Sequence, residues 1–361
     1  MEQVQYHQEQ MLPELKDLVK KGLFSPVEVK GIVKRRTAFE TSLVRRVADR
    51  ADFLRYVQYE MGLEALRRKR LQRLKIKSLV PSISDYAIIR RQYYIFERAV
   101  RKFKADVSLW TQYIELARQN GARGLVGRLC ARALQLHPNA PSLSLLSASH
   151  EVVQGSPSSA RSLLQRGLRF NPESVELWTE YVKMELGYIE GLRRRWDLLG
   201  IQDGANAPGI PGENNQARQQ VLDGAVVRAV IDSATKSLPV IEMFKSLHDL
   251  LRICTSPLVP SLTSHLLELM RNTLRSSPEA MMLRADIMLD GASDSDAFVD
   301  RLKVANEELT GAIMDLGPRM SYLYSQWIDN WVSRLKGDNA ELAEYLQLSL
   351  RKVVRREGDP R

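Results

Sequence analysis

The sequence predicts an all-α chain, a solenoid of stacked helix–turn–helix units, and three observations carry that prediction. The first is a repeat. Arg98, Arg132 and Arg166 stand 34 residues apart, as do Ala99, Ala133 and Gly167, and Leu109, Leu143 and Leu177. Trp110 and Trp178 are two such periods apart, Tyr113 and Tyr181 likewise, and Pro138 and Pro172 one. A fixed period near 34 is that of paired helices that bury their apolar faces on their neighbours. The second is composition: Leu, Ala, Arg, Glu and Lys fill the periodic segments and runs of β-branched residues are scarce, which favours helix. The third is size. A chain of 361 residues with 44% hydrophobic content suits two ordinary domains or one elongated array, and an array grows without needing a larger single core.

The elements follow in order. Residues 1–86 form an N-terminal helical region with one irregular repeat. Met11, Leu12, Leu15, Leu18 and Val19 have helical spacing from about Gln8 to Lys20, with Pro13 placed near the first turn and Gly22 at the end. Ser25-Pro26-Val27-Glu28 reads as an N-cap, a first-turn proline and a capping-box acid, and the helix it opens presents Val29, Ile32, Val33, Phe39, Leu43 and Val47. Phe53, Tyr56 and Glu60 repeat the spacing of Trp178, Tyr181 and Glu185, so a repeat lies there outside the strict register, continuing through Leu63, Leu66, Leu71 and Leu74 to a break at Pro81.

Regular repeats occupy residues 87–199. Helices are expected over Ile88–Lys104, Val107–Gln119, Leu125–Gln135, Leu143–Glu151 and Ser159–Arg169, then from Asn171-Pro172-Glu173 toward Trp196. Residues 200–216, rich in Gly, Pro, Asn and Asp, are expected to be a flexible loop. Residues 217–361 read as degenerate helical repeats. Leu274-Arg275-Ser276-Ser277-Pro278-Glu279 parallels Leu168 to Glu173, Tyr322, Tyr324, Trp327 and Trp331 mark an aromatic helix, and a basic helix frays into Gly358-Asp359-Pro360-Arg361.

The repeat positions are read as structural. Aromatics at i and i+3 share one helix face and fill the space between neighbouring helices, so Trp110, Tyr113, Leu143, Trp178 and Tyr181, with Arg98, Arg132 and Arg166, are assigned to the repeat core. The middle repeat departs from the pattern with Ser144 and Ser147 where its neighbours carry Trp and Tyr. Either Leu145 and Leu146 take up that packing, or the serines floor a groove for a partner segment.

Net charge is +10, from 53 Lys+Arg against 43 Asp+Glu, which suits an anionic partner such as RNA. Three clusters are candidate basic contacts: Lys34, Arg35 and Arg36; Arg67, Arg68, Lys69 and Arg70, continued by Arg73, Lys75 and Lys77; and Arg193, Arg194 and Arg195. They suit phosphates, an acidic protein, a nuclear address or simply solvent, and protein is the preferred partner of the second and third. The alternation of aromatic and basic residues of an RNA-recognition sheet is absent, so RNA contact is expected at backbone and shape.

Catalysis finds little support. His7, His137, His150, His248 and His265 have no metal-ligand spacing, no GxSxG elbow occurs, and Gly121–Arg128 lacks the GK[ST] ending of a phosphate loop. Cys130 and Cys254 stand far apart, which fits a reducing compartment. The N-terminus lacks an apolar signal core, and no stretch approaches the roughly 18 apolar residues of a membrane span. A soluble, intracellular, non-catalytic chain is expected, without cofactor, metal or small-molecule substrate.

Leu177-Trp178, Tyr181 and Glu185, with Arg132-Ala133-Leu134 and Pro138, resemble the half-a-TPR (HAT) repeat of RNA-processing proteins. Leu12-Pro13-Glu14-Leu15, Gly22-Leu23-Phe24-Ser25, Glu28, Ile32-Val33-Lys34-Arg35-Arg36, Glu40, Arg45-Arg46 and Phe53 through Glu60 are similar to the U3 small nucleolar RNA-associated protein 6 family. The resemblance covers residues 8–196. It implies a right-handed superhelical solenoid of TPR-like HAT hairpins and a nucleolar scaffold in the UTP-B subcomplex of the small-subunit processome. The implied partners are β-propeller proteins, beside U3 snoRNA and pre-rRNA, in 18S rRNA maturation. A HAT scaffold of the splicing or polyadenylation machinery, or a directly RNA-binding solenoid, are the alternatives.

Overall fold

The computed structural model describes residues 2–45, 47, 49–74, 82–198, 220–290, 295–335 and 340–357. Nearly all of these are helical and none is in a strand. The expected loop at 200–216, Arg46, Lys75, Lys77, Pro81 and the tail Gly358–Arg361 lie outside the described residues.

The chain divides into two compact units, Met1–Gln154 and Gly155–Arg361. The division falls in the turn after the Ser144 repeat, not at the glycine-rich segment where the composition changes. The first unit contains α1 (Glu2–Lys20), α2 (Pro26–Leu43), α3 (Arg50–Leu74), α4 (Ala87–Lys102), α5 (Val107–Gln119), α6 (Arg123–Leu136) and α7 (Pro141–Val153). Each helix packs on the next, and α5 also packs on α7, the pattern of stacked hairpins.

Local chemistry sets the boundaries. Ser25 caps α2 as expected: the Glu28 amide donates to Ser25 Oγ at 3.2 Å and the Ser25 amide to Glu28 Oε2 at 2.8 Å, with Pro26 in the first turn. Gly121 takes the left-handed conformation, φ 70°, that lets the chain turn between α5 and α6. Two expectations are corrected. Pro13 lies inside α1, not in its first turn; it is exposed, as is Glu9, whose carbonyl loses its amide donor there. The helix carrying Phe39 ends at Leu43, so Val47 lies beyond it and is exposed.

The main core of this unit joins Phe53, Tyr56, Ile95, Trp110, Tyr113, Leu129 and Leu143, with Ala99 and Ala133 fully buried among them. These alanines allow the close helix approach that their 34-residue step implied. A second cluster, Met11, Leu15, Leu18, Leu23, Phe24, Ile32, Leu63 and Ile88, holds α1 against α2, α3 and the start of α4.

The second unit contains α8 (Pro157–Phe170), α9 (Val175–Leu198), α10 (Ala225–Ser237), α11 (Ile241–Ile253), α12 (Val259–Thr273), α13 (Pro278–Asp290), α14 (Ser295–Leu316), α15 (Pro318–Leu335) and α16 (Ala340–Glu357). The long α9 packs against α8, α10 and α11. On α15, Tyr324 and Trp327 enter the core while Tyr322 is exposed, and the indoles of Trp327 and Trp331 both donate to Asp286 Oδ1, at 2.8 and 3.2 Å.

Candidate functional site

Three hairpins are keyed by an arginine and a glutamate 24 residues apart. Arg36 on α2 donates through Nε and Nη2 to the two carboxylate oxygens of Glu60 on α3, each at 2.7 Å, with side chains only 2% and 0% exposed. Arg161 on α8 grips Glu185 on α9 in the same fork, at 2.6 and 2.7 Å. Arg284 on α13 donates through Nη2 to Glu308 on α14. The planar guanidinium matches both carboxylate oxygens at once, so the pair fixes one register between the two helices. Glu60 and Glu185 were legible as repeat positions; their arginines were not.

The tryptophans carry a second repeated contact. Trp110 Nε1 donates to the Lys104 carbonyl at 3.2 Å and Trp178 Nε1 to the Pro172 carbonyl at 3.0 Å, each six residues back. Both indoles, with Tyr113, Leu143 and Tyr181, are buried, and burial pushes the Tyr113 hydroxyl up to about 12. Arg98, Arg132 and Arg166 are not core residues. Arg98 is half-buried and joins Glu40 on α2; Arg132 is exposed and joins Glu97 on α4; Arg166 is exposed. The first two cross between helices at the surface, where their charge stays in water.

Much of the basic surface read from the sequence is spent inside the fold. Arg36 is buried against Glu60 and adds nothing to the surface charge. Arg67 is also turned inward, forked onto Glu64 at 2.8 Å, and Arg68 joins the same carboxylate and Asn120. Arg70 lies over the Phe24 ring, donates to the Leu23 carbonyl and forks onto Glu28. That hydrogen bond, with the Ser25 amide behind it, lowers the Glu28 carboxyl to about 2. An arginine run on α3 thus clamps the start of α2, leaving Lys69 and part of Arg68 outward. Lys34 and Arg35 are exposed, with Arg35 over the Tyr59 ring. In the second unit Arg193 donates to the Leu222 carbonyl at 2.7 Å, whereas Arg194 and Arg195 face solvent.

Ser144 and Ser147 do not floor a groove. They are 3% and 2% exposed, the Ser147 hydroxyl donates to the Leu143 carbonyl at 2.7 Å, and Cys130 packs beside it. The serines are buried without an indole or phenol in their place, while Leu145 and Leu146 stay half-buried. The concavity lies one helix face away. A groove of about 590 Å³ runs along α3, α5 and α7, floored by Val57, Phe96 and Leu116, edged by Leu54, Met61 and Leu146, and rimmed by Gln58, Gln112 and Gln119 among others. Gln112 and Leu146 each stand two residues after the repeat position held by Trp110 and Ser144, a spacing that could have marked the groove in the sequence.

Among the described residues no three His, Cys, Asp or Glu side chains converge as metal ligands would, and no helix is long and apolar enough to cross a membrane. His265 meets Asp232 at 2.7 Å, and His137 the Lys104 carbonyl at 2.7 Å. Burial pushes both cysteine thiols up.

The hairpins define an all-α, TPR-like helical-repeat array, a class that works through extended faces and grooves. Residues 8–91 match the model of the family described as U3 small nucleolar RNA-associated protein 6. Over 199 residues, 55% of its length, the chain is 43% identical to the U3 small nucleolar RNA-associated protein 6 of Schizosaccharomyces pombe, of which it covers 41%. Over 192 residues, 53% of its length, it is 36% identical to the Homo sapiens homolog, of which it covers 32%. The chain therefore spans less than half the length of these relatives. Among solved structures, a thermophilic TPR protein of Thermus thermophilus is similar at 14% identity and TM-score 0.28, over 64% of this chain and 99% of that one. The family that the sequence resembles is the one both sequence comparisons return.

Proposed function

We propose that the chain is a non-catalytic scaffold of a U3 small nucleolar ribonucleoprotein, acting in the nucleolus on pre-rRNA processing toward 18S rRNA, within the UTP-B subcomplex of the small-subunit processome. The observation that carries this reading is the family match over residues 8–91, which spans the keyed α2–α3 hairpin. The mechanism is geometric: fixed hairpins present extended faces on which other subunits, β-propeller proteins among them, are held beside RNA. The groove along α3, α5 and α7 is the protein-facing surface of the first unit. Its apolar floor takes side chains of a partner segment, and the uncharged amides of Gln58, Gln112 and Gln119 suit that segment's backbone.

The test is affinity purification of the tagged full chain from its native cells, with crosslinking mass spectrometry and RNA sequencing. U3 RNA and β-propeller subunits are expected to co-purify, and depletion of the chain to reduce 18S rRNA while sparing the large-subunit RNA. Enrichment of splicing or polyadenylation factors in place of U3 RNA would overturn the assignment.

A further inference from the structure

In the first unit the even-numbered helices collect basic charge on one outer face. Arg98 on α4 reaches Glu40 on α2 at 2.8 Å, and Arg132 on α6 reaches Glu97 on α4 at 3.0 Å. These two bridges tie α4 to α2 and α6 to α4 through their long side chains, not through helix packing. Lys30 and Lys34 on α2, Arg90, Arg98 and Arg101 on α4, and Arg128 and Arg132 on α6 stand at steps of three, four or eight residues, the spacing of one helix face. All are exposed except Arg98, which is half-buried. Helix α6 carries no acidic residue at all. Glu97 is half-buried, and Arg132 and Arg101 lower its pKa against the opposing effect of burial; Glu40 is buried under Arg98. Exposed bases also stand on α3, at Arg55, Lys69 and Arg73, whereas on α5 Glu115 pairs with Arg118 and on α7 the one charged residue is Glu151.

We propose that this face binds the phosphate backbone of double-stranded RNA. The inference rests on the reading that the chain works beside RNA, and it assigns the surface and the form of RNA. The cations recur on three successive hairpins, and a duplex presents a phosphate charge about every 1.7 Å along its axis, a continuous polyanion against which such a series can pair. Between the cations lie the exposed small or neutral residues Gly31, Ala38, Ala131 and Gln135. A protein interface centres on buried apolar or aromatic anchors; here the centre is cationic and low, which suits a uniform polyanion. Single strands are held by base stacking on aromatic rings. One exposed ring on this face, Tyr94, has the Arg98 guanidinium 4.7 Å from its centroid, and the bases around it outnumber it.

The experiment uses the purified full chain and a fluorescent 20-base-pair RNA duplex, titrated at several salt concentrations. The variant Lys34→Gln, Arg101→Gln, Arg128→Gln leaves both bridges in place. At about 0.1 M salt its affinity should fall at least about tenfold, and the slope of log K against log salt should flatten by about two to three. Circular dichroism should not change, and Arg118→Gln on α5 should alter neither quantity. Affinity and slope unchanged in the triple variant would overturn the proposal. So would tighter binding of a single strand than of the duplex, or displacement of RNA by polyglutamate at equal charge, which points to an acidic protein. If the tagged chain fails to recover U3 RNA while duplex binding behaves as stated, the functional reading falls and this one stands. If U3 RNA is recovered but the triple variant binds duplex normally, this one falls alone.

Discussion

Two neighbouring hairpins of the first unit share a stacked aromatic pair and differ in what accompanies it. Between α2 and α3 a buried fork of Arg36 on Glu60 sits beneath the stacked rings of Phe39 and Tyr56, 5.0 Å apart. Between α4 and α5 the corresponding residues are Tyr93 and Ala117, also 24 apart. There Phe96 stacks on Tyr113 at 5.2 Å, and Tyr93 tilts against the same ring at 6.1 Å. An aromatic contact is broad and tolerates small slips, whereas a bidentate ion pair is satisfied in one register. The price of that definition is desolvation, which leaves a severe defect when one member is removed. The keyed hairpin lies within residues 8–91, where the family match falls, and the unkeyed one in the generic repeats.

The largest expected effect comes from breaking the key. Glu60→Ala strands a charged Arg36 in the interior and should cost about 3–5 kcal/mol in chemical denaturation. Replacing both partners, Arg36→Met with Glu60→Leu, should recover most of that loss, because an apolar pair of similar volume needs no desolvation. Glu185→Ala should cost less than Glu60→Ala, since the Arg161 side chain is 34% exposed and can turn to water. An equal or larger loss at Glu185 would remove burial as the explanation.

The unkeyed hairpin depends on its aromatics instead. Trp110→Ala should cost about 3–5 kcal/mol, with the Lys104 carbonyl losing its indole donor. A melting temperature unchanged by this substitution would show that Trp110 is not the wedge between α5 and its neighbours. Ser144→Trp restores the indole of the flanking repeats, but the site has closed around the serine. Overpacking should make it about 1–3 kcal/mol less stable; a more stable variant would mean that a hollow exists there after all.

The limits of the sequence reading follow from the same contrast. The 34-residue step exposed what each repeat must bury, so Leu109, Leu143, Trp110 and Trp178 were legible, as were α5 from Val107 to Gln119 and the Ser25 cap. Charged partners were not, because an arginine reads alike whether it meets water or a glutamate on the next helix. Arg36 and Arg67 therefore passed for surface residues. The 24-residue spacing of Arg36 and Glu60 becomes visible as a rule only when Arg161 and Glu185 are seen to obey it. Ser144 and Ser147 misled for a related reason: loss of volume in a sequence does not distinguish a gap from helices drawn closer. Pro13 in mid-helix was hidden because the exposure that makes it tolerable is tertiary.

The clamp at the start of α2 gives a finer probe, since it joins the same two helices as the buried key but in solvent. Arg70 and the Ser25 amide both hold the Glu28 carboxylate, which titrates at about 2 against an ordinary 4.5. A depressed folded value means that the clamp is complete above pH 4.5 and is lost as pH falls from there toward 2. Following the Glu28 side-chain carboxyl carbon by NMR, Arg70→Ala should move its midpoint most of the way back toward 4.5, because the Arg70 hydrogen bond is the largest cause of the shift. Arg73→Ala, three residues on and exposed, should leave it in place. If the midpoint stays near 2 without Arg70, the Ser25 amide alone sets it, and α3 holds this end through the Leu23 carbonyl and the Phe24 ring instead; the Arg36–Glu60 key would then be the principal ion pair between these two helices.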